Sequence, residues 1–503
     1  MWSYHKKIIL IFNYSLRRRK EEMKNKNHAN EKQSIKLNRR TFIKSTVATG
    51  AVVSSGVLGA PYINAGAKQK LVIQTRTGRI TKLEQMRNSF IQKFPDADIE
   101  FIGLAGVDHE DTISKTLAQI AAGKQIDLQR VATEGIQLYA GAGYVSPLDK
   151  WVKRDAHLLH EYFDDVAPSI PHSMLYDGSL YQISTEWNAA NIFINTKLFA
   201  ENDIEYPGAD WTKDDFYNIA KKITKKSGSK TDVFGYGWTN RLWGSWMPWI
   251  FNNDSNLYSE AESKNSNFSD WFWKTFYKGN SSVANFKGGP KWETPQANND
   301  RIEEALEFMR QLVVEGISPA TALGDGATLT GFFTTNKMGM TPAGGFWAGG
   351  LHAQGMNPDD FDVCFFPKWK SQRHQFGAGG YLMMDSCKYK DLAWEFIKHS
   401  SSYEWQIPFM AGNISSPARR SMHNALRYSY TGPKHWNVFY ETLDKFPDTG
   451  AIPAPPCSNP MTRTFTKHTG LAMSGDLTPK VALNKMQRDL ERITRKYQPM
   501  YKS

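Results

Sequence analysis

Three cysteines in 503 residues, Cys364, Cys387 and Cys457, are too few and too scattered for a disulfide scaffold or a thiolate metal cluster. Two readings stay open: one bridge, with Cys364 and Cys387 the nearest pair in sequence, or three buried thiols. The usual catalytic signatures are missing as well. There is no Gly-x-Ser-x-Gly elbow, no His-Glu-x-x-His and no phosphate-cradling glycine-rich loop ending in lysine. The 12 histidines are dispersed, and His109 and His160 read as surface or packing residues rather than metal ligands. The body carries no internal repeat, heptad pattern or low-complexity tract.

Excess charge is also missing from the body, although the whole chain is formally +12. Residues 1–67 hold 13 Lys and Arg against 3 Asp and Glu, which leaves 49 against 47 for the rest. A nearly neutral body has no broad field for a polyanion, so nucleic acid is not an expected partner.

What is present begins with the leader. A basic region precedes a run rich in Ala, Val, Gly and Ser (residues 45–59), and Ala65-Gly66-Ala67 suits a signal peptidase. The run is shorter and less apolar than a helix spanning ~30 Å of hydrocarbon, which argues against a permanent anchor. Asn38-Arg39-Arg40-Thr41-Phe42-Ile43-Lys44 resembles the twin-arginine motif and implies export through the twin-arginine machinery to the periplasm. No cysteine stands at the junction to take a lipid.

Beyond the leader, residues 70–75 read as a strand, 82–94 as an amphipathic helix stopped by Pro95, and 98–102 as a second strand. Residues 113–122 read as a helix closed by Gly123, and 127–132 as a third strand. Such alternation predicts an α/β body with a mainly parallel sheet, in which ligands sit where loops leave the carboxyl ends of strands. Arg76-Thr77-Gly78 and Ala132-Thr133-Glu134-Gly135 occupy such loops. The Asn- and Ser-rich stretch 252–299 reads as an exposed insertion of loops and short helices.

Several stretches in order resemble the family 1 extracellular solute-binding proteins, the class that includes the maltodextrin-binding protein. They are Ala140 to Asp149 (AGAGYVSPLD), the Asp177-Gly178-Ser179-Leu180-Tyr181 turn followed by Glu186 to Phe199, and the Trp211-Thr212-Lys213-Asp214-Asp215 helix start. In the second half they are Phe332 to Met340, Gly344-Gly345-Phe346-Trp347, Gly379-Gly380-Tyr381 and the Asp391 to Ile397 helix. The resemblance covers residues 70–425 and implies a two-lobed periplasmic-binding-protein fold, type II-like, with two or three hinge crossings. The implied division is 1–67 export signal, 68–186 with 343–390 as the first lobe, and 187–342 with 391–503 as the second. It also implies the substrate-binding component of an ABC transporter, working with membrane permease subunits and needing no metal or organic cofactor.

A sugar presents a C–H face and a rim of hydroxyls, so a site for it needs flat aromatic platforms and a few fixed polar groups. Candidates are Thr77 and Glu134 on strand-end loops, Glu186, Trp187 and Asn188 at the first crossing, Trp238 and Trp243 after a strand end, and Gly345, Trp347 and Gly380. Each has a plainer reading. The 243, 246, 249 spacing also fits a buried helical stripe, and Glu186 and Trp187 also fit a salt-bridged carboxylate and a packed hinge residue. Arg76 and Arg419 are weaker candidates that keep acidic sugars open. Asp164-Asp165 with Glu186 leaves a glycoside-acting enzyme as the rival, and a receptor presenting ligand to a sensor kinase has the same sequence features.

Overall fold

Leu71, Val72 and Ile73 form the buried centre of strand β1 (Gln69–Arg76). The helix that follows, Ile80–Lys93, buries Leu83, Met86 and Phe90 at three- and four-residue spacing and ends just before Pro95. The computed structural model describes residues 68–106, 109–319, 326–410, 415–422 and 432–501. The expected export signal, with the stretch that resembles a twin-arginine motif, lies outside the described residues.

In chain order the strands continue as β2 (Ala97–Leu104), β3 (Leu128–Ala132), the small pair β4 (Leu175–Tyr176) and β5 (Ser179–Leu180), β6 (Ser184–Ala189) and β7 (Asn191–Asn195). Then come β8 (Lys225–Ser227), β9 (Lys230–Tyr236), β10 (Tyr258–Glu262), β11 (Pro290–Pro295) and β12 (Met338–Ala343). The last are β13 (Phe361–Cys364), β14 (Gln375–Met383), β15 (Ser416–Pro417) and β16 (Gly450–Ala451). Among the described residues no helix is long and apolar enough to cross a membrane.

Two principal sheets result. The first runs β15-β6-β14-β3-β1-β2, with β16 alongside β14, and the second runs β13-β7-β12-β9-β8. The parallel run expected from residues 70–132 is there, since β1 pairs parallel with both β2 and β3. Beyond β3 the first sheet turns antiparallel: β14, which returns from the second sheet after β13, runs antiparallel to both β3 and β6. β2 alternates, with Ala97, Ile99 and Phe101 inside and Asp98 and Glu100 outside, as an edge strand with one wet face does. β3 and β14 are buried throughout and form the middle.

The chain passes between the sheets at three places that lie side by side. β6 and β7 are separated only by Ala190, whose N–H donates to the Gln375 carbonyl at 2.8 Å, where the second passage enters β14. The third passage leaves through β16, paired with β14 at Gln375 and Phe376, and its Ile452, Ala454 and Cys457 join the second sheet's core. Within the expected first-lobe segment 343–390, β13 pairs with β7 in the second sheet. Within the expected second-lobe segment 391–503, Phe396 packs on Phe90 and Phe101, and Trp405 packs on Phe396, in the first sheet's core.

The helix start expected at residues 211–215 is present as Lys213–Ile223, and it carries a capping box. Thr212 Oγ1 accepts from Asp215 N at 3.1 Å and the Asp215 carboxylate accepts from Thr212 N at 2.8 Å. The insertion 252–299 departs from its expected exposure. Its helix Ser269–Phe276 buries Phe272, Trp273 and Phe276 against Phe163 of the first core, while Tyr258 and Trp292 on β10 and β11 belong to the second. Its polar residues mark turns, but its aromatics, spaced for one helix face, decide where it packs. All three cysteines are buried and unpaired.

Candidate functional site

Arg79, on the turn after β1, and Arg130, near the end of β3, meet on one carboxylate. Arg79 Nη1 donates to Glu186 Oε2 at 2.9 Å, and Arg130 Nη2 pairs with Glu186 Oε1. The side chains are 18%, 4% and 8% exposed for Arg79, Arg130 and Glu186, so the three charges are largely out of water. The room comes from Gly379, which sits opposite Glu186 on β14; a Cβ there would come within 3.1 Å of Arg130 Nη2. Arg130 Nε is buried with no hydrogen-bond partner among the described residues.

Electrostatics follow from that crowding. Burial pulls the Arg79 guanidinium down to about 10, still charged at neutral pH. Burial, and then the neighbouring Arg79 charge, presses Arg130 well below its ordinary value. His109, half-buried at the start of the helix His109–Ala121, is brought down to about 3, first by burial and then by Arg76, Arg130, Arg79 and Arg241. It is therefore a neutral imidazole at neutral pH, half-buried in the field of four guanidiniums. Glu134, in the first turn of the helix Thr133–Gly141, is buried and accepts from Thr133 Oγ1 at 3.3 Å; burial raises its carboxyl. These groups gather at the carboxyl ends of β1 and β3, the position expected for a ligand site in an open α/β sheet.

One tryptophan reaches this region. Trp243 is half-buried, with its Nε1 against the bare backbone of Gly377 and Arg241 over its ring at 5.5 Å. Its loop is held by Gly244, whose φ of 75° suits glycine and whose N–H donates to Gln375 Oε1 at 2.6 Å. Asn188, opposite Gly377, donates to Ser415 Oγ at 2.8 Å and keeps a buried Oδ1 without a partner among the described residues.

Other candidates fall elsewhere. Trp187 is wholly buried and edge-on to Tyr440, so it offers no free face for stacking, contrary to expectation. The reason is that β6 lies between β14 and β15 and is covered on both faces. Trp238 is also core, edge-on to Trp246 at 5.0 Å, because the chain turns inward after β9. Trp347 is half-buried and packs edge-on against Phe193 and Phe333. Thr77 is exposed on the turn beside Arg79. Gly345 lies beside Asn188, and a Cβ on it would come within 2.4 Å of Ser416 Oγ; one on Gly380 would meet the Ile183 carbonyl at 2.3 Å.

Arg76 donates to the Gly106 carbonyl at 3.3 Å. Arg419 is occupied by Glu161 and Asp165, and Asp165 also accepts from Ser421 N at 2.8 Å. That carboxylate is a structural anchor, which removes it from a catalytic pair. Surface hollows of about 410 and 610 Å³ lie on the second sheet's helices, lined by Lys221, Lys226 and Glu315 and by Lys213, Glu304 and Trp369, and hold none of these groups. Sequence reasoning passed over Arg79, Arg130 and Arg241. The available signal was an arginine inside the otherwise uncharged strand sequence Leu-Gln-Arg-Val-Ala, since a buried charge needs a partner.

Comparison with known proteins gives the family and the fold. Residues 78–407 match the family described as bacterial extracellular solute-binding protein. Among solved structures, an ABC substrate-binding protein of Listeria monocytogenes in complex with cycloalternan is 18% identical, with a TM-score of 0.67 over 86% of this chain and 99% of that one. Maltose-bound MalE3 of Thermotoga maritima is 15% identical, with a TM-score of 0.65 over 84% and 99%. A solute-binding protein of Agrobacterium radiobacter in complex with ribitol is 19% identical, with a TM-score of 0.65 over 85% and 99%. The likeness establishes a shared two-lobed α/β fold.

Proposed function

The chain belongs to the bacterial extracellular solute-binding protein family, and from that membership we propose that it captures a carbohydrate or polyol in the periplasm and delivers it to the permease subunits of an ABC importer. The observation that carries the reading is the convergence, beside the three passages between the sheets, of one half-buried indole with hydrogen-bonding groups. Trp243 supplies a flat apolar face at Gly377, and Asn188, opposite Gly377, supplies an amide whose Oδ1 has no partner among the described residues, with Arg79 and Arg130 held by Glu186 two residues along the same strands. The ligands of the fold relatives, cycloalternan, maltose and ribitol, belong to the same chemical class.

In this reading one lobe is built on the seven-stranded sheet and the other on the five-stranded sheet. The passages at Ala190, 365–374 and 452–457 act as the hinge, and closure buries the solute between the lobes. Gly345 and Gly380 keep backbone close to the site, and Trp347 supports it from behind. The basic leader, with its twin-arginine resemblance, directs the folded protein outward. No bond is made or broken, so the solute leaves unchanged.

The test is a thermal-shift screen of residues 68–503 against neutral mono- and oligosaccharides, polyols, uronates and amino acids, with chromatography of the recovered solute. A ligand that binds only the folded form raises the melting temperature. A shift by a saccharide or polyol recovered intact supports the proposal. A shift by amino acids alone would remove the carbohydrate claim, and products accumulating in step with protein concentration would make the chain an enzyme.

A further inference from the structure

Two guanidiniums meet on the Glu186 carboxylate. Arg79 and Arg130 share it where all three side chains are less than one-fifth exposed, and among the described residues neither guanidinium makes a second ion pair. Removing charge from water is expensive, and a protein retains an uncompensated one at a stability penalty of several kcal/mol unless something meets it. Arg130 Nε, buried and without a hydrogen-bond partner among the described residues, shows that the guanidinium's donors are not used up by Glu186. The Arg241 guanidinium lies over the Trp243 ring, 5.5 Å from its centroid.

Resting on the solute-binding reading above, we infer that the captured solute is an acidic saccharide, whose anionic oxygens meet the Arg79 and Arg130 pair while a ring of the same molecule lies against Trp243. A neutral sugar brings neither guanidinium a second ion pair. A carboxylate, sulfate ester or phosphate ester offers two or more oxygens in the geometry a guanidinium fork accepts, and such pairs are short and strong. Glu186 then acts as the spacer that holds the two forks apart and parallel. His109, uncharged at neutral pH, adds no charge to be met and can donate or accept with a hydroxyl.

The experiment is calorimetric titration of residues 68–503 with matched pairs: galacturonate and glucuronate oligomers against galactose and glucose oligomers, with glucose 6-phosphate, glucose 6-sulfate, inorganic phosphate and acetate as separate arms. The expected result is binding of an acidic saccharide at least about tenfold tighter than its neutral counterpart, weakening as salt is raised. Which acid binds distinguishes carboxylate from ester recognition, and the free anions should bind far more weakly than the sugar acids. Arg130→Lys, and independently Arg241→Gln at an exposed position, should each reduce the acidic-over-neutral preference by at least about fivefold. A neutral sugar bound as tightly as its acid overturns the inference and leaves the carbohydrate reading standing. Binding of no saccharide, neutral or acidic, overturns both.

Discussion

The indole of Trp243 lies against a stretch of β14 that Gly377 leaves without a side chain: a Cβ built on Gly377 would come within 2.6 Å of Trp243 Nε1. Gly379, two residues on, leaves the same face bare beside Arg130. The atom that a Gly377→Ala methyl would displace belongs to a half-buried side chain that can swing aside. The substitution should therefore change stability by less than about 1 kcal/mol while weakening solute binding by about tenfold or more. Gly380→Ala, by contrast, meets the Ile183 backbone and should cost about 1–3 kcal/mol. Urea melts of both variants, with titration of the solute found in the screen, separate the two effects.

Trp238 and Trp243, five residues apart, should behave oppositely. Trp238 is 3% exposed and packed on Trp246, so Trp238→Ala opens a cavity and should lose about 3–5 kcal/mol. Trp243→Ala should leave the unfolding free energy within about 1 kcal/mol of the parent and abolish most of the ring-dependent affinity. Equal loss of stability in the two variants would return Trp243 to the core.

That contrast marks how far the sequence could be read. The strand and helix alternation up to Ala132 follows from local periodicity and has its structural counterpart, as does the helix start at Thr212, while the family segments rest on resemblance and fall within the residues that match the family. Glu186 could be read from sequence either as a hydroxyl acceptor or as a salt-bridged carboxylate, and the structure holds it between Arg79 and Arg130. Trp187 beside it was not legible, because period-two alternation assigns a face only when one face is wet, and β6 is covered on both. The tryptophans after β9 illustrate the same limit: burial of Trp238, Trp246 and Trp249 is decided by helices hundreds of residues away, such as Ser458–Met473, whose Phe465 packs on Trp246. The arginine cluster escaped notice because its members come from separate segments and only the sheet brings them together.

Neutralising the shared carboxylate should unbalance its two partners. Glu186→Gln leaves Arg79 and Arg130 facing each other in a site that excludes water, and should destabilise the fold by about 3–5 kcal/mol. Adding the acidic solute should restore part of the lost melting temperature in the variant, since its oxygens replace the missing charge. An unchanged urea midpoint would mean that solvent, not Glu186, balances the arginines.

Asp155 predicts where acid begins to weaken the protein. Its carboxylate accepts from Arg154 Nε at 2.8 Å and from Lys398 Nζ and Trp394 Nε1 at 2.7 Å each. The hydrogen bond from Arg154 first, against a smaller opposing effect of burial, holds the carboxyl well below the usual aspartate range. A folded value below the unfolded one means that the unfolded chain binds the proton more readily. The contribution is therefore complete above about pH 4, the unfolded range for aspartate, and is lost as pH falls through the folded value. Urea melts between pH 6 and 3 should show stability declining below about pH 4, with a shallower decline in Asp155→Asn. An identical slope in the variant would assign the acid sensitivity to other carboxylates.

The thiols give a prediction about redox conditions. Cys364 sits in the core of the second sheet, where its Sγ reaches the Ile192 carbonyl at 3.6 Å, while Cys387 packs in the core of the first. Bridging them would require sulfurs in two separate cores to approach within ~2 Å, which no local adjustment of a packed interior permits. Burial raises all three thiols, and Cys387 as far as about 12, so the reactive thiolate is scarce at neutral pH. The folded protein should give no colour with an aromatic disulfide reagent, then titrate as three thiols in denaturant. Its melting temperature should be the same with and without reductant. A fall on reduction would demonstrate a bridge, and with it a rearrangement of one of the two cores.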